Sequence, residues 1–296
     1  TAVFAFASKI GQKSLKHMLT IYKAKSVSVA TYGAGLWGGA NHKEIQIIEN
    51  KFLRRLLAVP HSTPSLICHL ELGLNFLEDT LKIAPLLLWH KIWTSPETSF
   101  NRLVLKDCLT LDKVGKIPWI SYIKSFFTDL SQPGYFSDPS SLEHVSRKHL
   151  RDLCEASLKG LRMCSASKLA TNKSFLQINL HPGVQPYLLF INSSYHKYLL
   201  VRFRLGSVFR LATFPTLNNW SPILQPCPCD QVSTQNLAHF MFFCGFYKKP
   251  RMLFLKPLLR DLQITSYTQA LLHLRHLHTA HECLVVFTYL SNALRI

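Results

Sequence analysis

Apolar residues recur at intervals of three and four through most of the chain, a spacing that predicts helices rather than strands. The clearest case is HKEIQIIENKFLRRLLAVP, in which Ile45, Ile48, Phe52, Leu53, Leu56 and Leu57 fall on one helical face. Lys43, Lys51, Arg54 and Arg55 lie elsewhere on its surface. Asn41 is placed to cap this helix, which should end before Pro60. Upstream, Leu15, Met18, Leu19 and Tyr22 predict another helix, followed by a β-branched stretch and then Gly33, Gly35, Gly38 and Gly39. These glycines lack the strand and helix context of a phosphate-binding loop, and close packing is the role their setting supports.

Downstream, Ser62 or Thr63 followed by Pro64 fits a helix start and Gly73 a stop. The segment LEDTLKIAPLLLWHKIWTS is interrupted by Pro85, which should kink or divide it. Trp89 and Trp93 share a helix face beside several leucines, which points to a core pair rather than a base-stacking one. His69, Cys68 and His90 have no chemical partners nearby and read as structural. The turn-formers of SQPGYFSDPSS suggest a linker at 131–141 between a body at 1–130 and another at 142–296. In YHKYLLVRFRLGS a helix is preferred over an alternating strand, and Pro257 compromises the helix expected near Leu253–Leu262. The expected fold class is therefore mainly α.

With 296 residues, 48% of them hydrophobic and 17% charged, the chain has enough apolar material for about two folded units. Lys and Arg number 34 against 16 for Asp and Glu, a formal net charge of +18. That imbalance favours a polyanionic partner, RNA or DNA before an anionic membrane. No uncharged apolar run reaches the roughly 18 residues of a membrane span, and no secretory signal is evident. Eight cysteines spread thinly over so long a chain fit a reducing, intracellular compartment, nucleus or cytoplasm, better than a disulfide framework.

One stretch, QPCPCDQVSTQNLAHFMFFCGFYKKPR, concentrates metal-ligand chemistry. Cys227, Cys229, His239 and Cys244 are four donors of the kind that close a tetrahedral structural zinc site, leaving no open position for catalysis. The competing reading is a set of small buried thiols. In the tail, His273 and His276, and again His278 and His281, stand three apart, so a helix can present them in pairs. No acidic base accompanies them in the HExxH manner, so solvated or capped histidines are preferred over a second metal site. Basic residues flank the cysteine stretch. Arg202, Arg204 and Arg210 precede it, Lys248, Lys249 and Arg251 follow it, and with Arg54 and Arg55 they are the candidate phosphate contacts.

Three runs, IYKAKSVSVATYGAGLWG, IQIIENKFLRRLLAVPHSTPS and LELGLNFLE, closely resemble the segment after the polymerase domain in reverse transcriptases of LINE-type, non-LTR retrotransposons. YLLVRFRLGS and CPCDQVSTQNLAHFMFFCGFYKKPR are similar to that family's C-terminal region, whose pattern is CPxC, an acidic-His-Phe stretch and Cys-Pro-x-Tyr. Here the pieces are CPC, AHF and CGFY, with Ala238 in the acidic position and Gly245 in place of proline. The resemblance implies a thumb-like helical bundle followed by a second helical body carrying a small zinc knuckle within about 198–250. It also implies template RNA and target DNA as partners. None of the eight aspartates neighbours another, unlike the family's magnesium-binding pair, so the expectation is a nonenzymatic fragment. The alternative is a retained helical scaffold, or a decayed remnant, without biochemical activity.

Overall fold

A computed structural model describes residues 4–5, 14–40, 42–59, 61, 63–112, 117–167, 183–191, 193–204, 227, 229–231 and 237–293. No strand occurs among them, in agreement with the helical spacing of apolar residues. In chain order the α-helices begin with α1 (Leu15–Ile21), α2 (Ser28–Thr31), α3 (Ala34–Trp37), α4 (Lys43–Leu57), α5 (Ser65–Leu72) and α6 (Leu77–Trp93). They continue with α7 (Phe100–Leu111), α8 (Pro118–Asp129), α9 (Gly134–Ser137), α10 (Arg147–Ser167), α11 (Pro186–Phe190) and α12 (Ser194–Arg204). The last are α13 (Lys248–Pro250), α14 (Lys256–Asp261), α15 (Tyr267–His276) and α16 (Ala280–Ala293). Three π-helical segments, Tyr22–Val27, His239–Phe243 and Arg251–Leu255, interrupt this series.

Two compact units share the chain, the first taking residues 1–12, 17–49 and 75–166 and the second 13–16, 50–74 and 167–296. This differs from a division at 131–141. That stretch is folded within the first unit, where Tyr135 and Phe136 pack against the hydrophobic core. Two aromatic anchors outweigh the turn-formers around them.

The first unit is organised around α6. Trp89, fully buried, stacks on Phe136 with ring centroids 5.2 Å apart and meets Trp93 edge-on at 5.7 Å. The core reading of this tryptophan pair is thereby confirmed. Helix α6 runs unbroken through Pro85, although proline has no N–H for the Leu81 carbonyl and its ring crowds the preceding turn. Two neighbours from outside the helix pack against the turn before the proline. The Tyr122 hydroxyl donates to the Lys82 carbonyl at 2.9 Å. Gly38 approaches so closely that a Cβ there would stand 2.2 Å from the Leu81 oxygen. A Cβ on Gly35 would likewise meet Leu88 at 3.0 Å, so the glycine cluster serves close packing of α3 on α6.

Carboxylates secure the start of α6. Glu49 is buried, accepts from the Tyr22 hydroxyl at 3.0 Å, and accepts the orphan Leu77 N–H at 3.3 Å. It occupies the apolar face of α4 between Ile45 and Leu53, while Ile48, expected on that face, is 67% exposed. Arg162 of α10 then binds Asp79 through Nε at 3.0 Å and Glu78 through Nη2 at 2.7 Å. Burial alone would raise the Glu78 carboxyl, but hydrogen bonds and charge from Lys82 and Arg162 hold it below its ordinary value.

The second unit centres on α16, which packs against α11, α12 and the π segment Arg251–Leu255. Helix α12 confirms the helical reading of the YLLVRFR run. Pro257 is accommodated because the π segment ends at Leu255, two residues before it, and α14 carries it in its first turn. Gly73 ends α5 with φ 58°, and a Cβ on it would fall 2.0 Å from the Gly183 carbonyl carbon.

Glu71 and Arg204 are both 0% exposed in this unit. Arg204 Nε donates to Glu71 Oε1 at 2.9 Å, and Tyr187 donates to Glu71 Oε2 at 2.9 Å. Arg204 also donates to the carbonyls of Arg275 and His276, closing the last turn of α15, and Arg275 Nε donates back to the Arg204 carbonyl at 2.9 Å. Removing one member of such a pair strands the other charge in the interior. Arg204→Ala is therefore expected to destabilise the second unit by about 3–5 kcal/mol in chemical denaturation; a loss below about 1 kcal/mol would show that the pair does not hold the unit together.

Candidate metal centre

Two local structures bring the four predicted ligands together. At the first pair, Gln231 N–H donates to the Cys227 carbonyl at 2.7 Å and Gln231 adopts φ 53°, a tight left-handed reversal. This turn folds Cys229 back beside Cys227. Pro228 lies outside the described residues.

The second pair depends on the π turn His239–Phe243. Five residues advance an α-helix by about 500°, which would leave His239 and Cys244 on different faces. Here Cys244 N–H donates to the His239 carbonyl at 2.7 Å, an i to i+5 bond that inserts one residue into the turn. His239 and Cys244 thus come to the same side.

The ligand atoms of Cys227, Cys229, His239 and Cys244 all lie within 4.8 Å of one another. Cys227 Sγ is 3.6 Å from Cys244 Sγ, and Cys229 Sγ is 3.2 Å from His239 Nε2. Metal–sulfur bonds of about 2.3 Å in a tetrahedron separate two sulfurs by about 3.8 Å, so the cluster has the dimensions to hold a metal ion. None of the eight thiols of the chain is in a disulfide. Burial pushes the Cys227 and Cys244 thiols up from their ordinary value, so an incoming cation must displace protons from neutral thiols. It is the single such group among the described residues.

Arg251, expected to contact phosphate, is half-buried and donates instead to the carbonyls of Phe242 and Cys244. The Cys244 carbonyl also accepts the Tyr247 N–H at 3.3 Å, so the guanidinium is a second donor there and ties it to the Phe242 carbonyl at the end of the π turn. On the other side, Tyr289 of α16 donates to the Phe240 carbonyl at 2.9 Å. The ligand-bearing turn is thus fixed from outside as well as by any metal.

The remaining basic candidates divide by burial. Arg55, Lys248 and Lys249 are exposed. Arg54 is half-buried and donates through Nε to the Thr63 carbonyl at 2.9 Å. Arg202 is half-buried, its guanidinium 4.5 Å from the Tyr198 ring centre. Arg204 is withdrawn from solvent altogether by Glu71, so it cannot meet a phosphate. Arg210 and Asn41 lie outside the described residues. The tail histidines do not form a ligand set either. His273 faces Glu282 at 3.4 Å, His276 stacks on His278 at 5.0 Å, and Glu282 accepts the His278 N–H at 2.8 Å as part of the α16 cap.

The buried acid Glu71 escaped sequence reasoning because LELGL reads as a plain amphipathic run. Arg251 was recognisable as special only through the π turn it serves. No family model, no curated protein and no solved structure matches the chain. No helix among the described residues is long and apolar enough to cross a membrane.

Outer hydrogen bonds that orient a ligand-bearing backbone commonly set metal affinity by tenfold or more. Arg251→Lys, which keeps the charge but loses the two-pronged reach, should weaken metal affinity about tenfold in chelator competition. Unchanged affinity would assign the clasp no role in the site.

Proposed function

We propose that this chain is a nonenzymatic nucleic-acid-binding part of a LINE-type reverse transcriptase, with a structural zinc in the Cys3His cluster. The observation that carries the reading is that the residues carrying the CPC, AHF and CGFY resemblance are the ones whose donor atoms converge within 4.8 Å. Three sulfurs and one imidazole suit zinc, which needs four ligands and tolerates any such mixture tetrahedrally. A fully ligated ion polarises no substrate. Its contribution here is to tie the two chain reversals to each other.

The partner follows from charge. Arg55, Lys248 and Lys249 are exposed and all belong to the second unit, the unit that also holds the cluster. Arg54 and Arg202 offer partial access in the same unit. RNA or DNA is the polyanion that the +18 charge and the resemblance both favour.

Metal analysis of protein purified without chelators should find about one zinc per chain, lost on Cys244→Ser together with stability of the second unit. Protein that folds and carries no metal would refute the zinc assignment. For binding, the logarithm of affinity should fall linearly with the logarithm of salt, with a slope of about −0.7 to −0.9 per phosphate neutralised. Lys248→Ala with Lys249→Ala should make that slope shallower by roughly 1.5. Absence of RNA and DNA binding at low salt would overturn the proposal.

A further inference from the structure

Three aromatic rings around the metal cluster are turned outward. Phe243 is 54% exposed, Phe246 55% and Tyr267 56%. Phe243 immediately precedes the ligand Cys244, and Phe246 follows it by two residues. The Phe243 and Tyr267 rings pair edge to face with centroids 4.8 Å apart, and buried Phe242 backs Tyr267 at 5.3 Å. The backbone under them is immobilised from both sides, by the Cys244 to His239 hydrogen bond and by the Arg251 clasp on Phe242 and Cys244. Rings this large normally supply core, and here the apolar area is left in water on a rigid support.

The charge around the rings is one-sided. Between residues 237 and 268 the sequence carries Lys248, Lys249, Arg251, Lys256 and Arg260 against the single acid Asp261. Lys248, Lys249 and Lys256 are exposed, and Asp261 lies 3.8 Å from Arg260. A ligand complementary to this surface must present both flat apolar faces and closely spaced negative charge. Single-stranded nucleic acid does so, because its unpaired bases expose π faces between phosphates. A duplex offers the phosphates and keeps its base faces stacked inside.

We infer that Phe243, Tyr267 and Phe246 form a stacking platform for the bases of single-stranded RNA or DNA, with the adjoining lysines following its backbone. This rests on the nucleic-acid-binding reading and specifies which form of nucleic acid is held. Stacking acts through ring faces and the lysines through charge, so the two contributions separate experimentally.

The test uses the full zinc-loaded chain and fluorescence anisotropy with a fluorescent oligo-dT strand and a mixed-sequence duplex as probes. Phe243→Ala and Tyr267→Ala should each weaken oligo-dT binding about tenfold, with the salt slope and duplex binding unchanged. Phe243→Trp should retain affinity and Phe243→Leu should lose it, since only the former keeps a π face. Phe246→Ala provides a further variant in the 3-10 turn Gly245–Tyr247, outside the ligand-bearing π turn. Wild-type binding that none of the ring substitutions alters overturns the platform and leaves the nucleic-acid reading intact. Wild-type protein that binds neither probe at low salt overturns both. Loss of zinc along with affinity in the alanine variants, with Leu and Trp equivalent at 243, assigns the rings to packing and also overturns the platform.

Discussion

Acidic side chains are the scarce resource of this chain, and its architecture depends on spending several of them indoors. Glu49, Glu71, Asp79 and Glu282 are all buried, each placed where a helix terminus or a guanidinium would otherwise be unsatisfied. Glu49 takes the first N–H of α6, Glu282 takes the N–H of His278 before α16, and Glu71 neutralises Arg204. Burying an unpaired charge costs far more than a surface ion pair contributes, so these pairings are conditions of folding rather than increments of stability. They also affect the outside. Among the described residues four buried carboxylates stand against two buried guanidiniums, Arg204 and Arg275, so these buried groups are net acidic and the remainder of the chain is more basic than +18. Internal structure and a basic exterior are thus two results of one distribution of charge.

Periodicity made most helices legible, and its failures have local causes. The clear amphipathic pattern of α4 was readable, but Ile48, expected on the apolar face, is exposed and Glu49 is buried beside it, because an adjacent helix end needed a carboxylate. Pro85 read as a break because its missing donor is a local fact, whereas Tyr122 and Gly38, which accommodate the disturbed turn, come from distant segments. The segment 131–141 read as a linker for a similar reason. Turn propensity is local, and the packing of Tyr135 and Phe136 on the Trp89 core is not.

The metal cluster was legible as a set of residue types and illegible as geometry. A one-residue gap between Cys227 and Cys229 and a five-residue step from His239 to Cys244 fit no regular helix. The left-handed residue Gln231 and the π turn make both spacings workable. Arginine was the least legible residue. In sequence Arg54, Arg55, Arg202, Arg204 and Arg251 are equivalent positive charges, yet Arg204 is an internal counter-ion and Arg251 a carbonyl clasp. The guanidinium can serve either purpose because its planar fork satisfies carbonyls and carboxylates as readily as phosphates.

This division of labour bears on how a basic surface can have structure of its own. Lysines on a solvated helix attract polyanions without orienting them, since a flexible ammonium has no directional demand. The segment from Phe242 to Lys249 is different because its backbone is tied at closely spaced points, through His239, Cys244 and the Arg251 carbonyl contacts. Side chains emerging between those ties inherit fixed directions and lose little further entropy when they meet a ligand. The Cys3His cluster and its clasp therefore do more than gather four donors, since they give a run of aromatic and basic residues a surface with defined geometry.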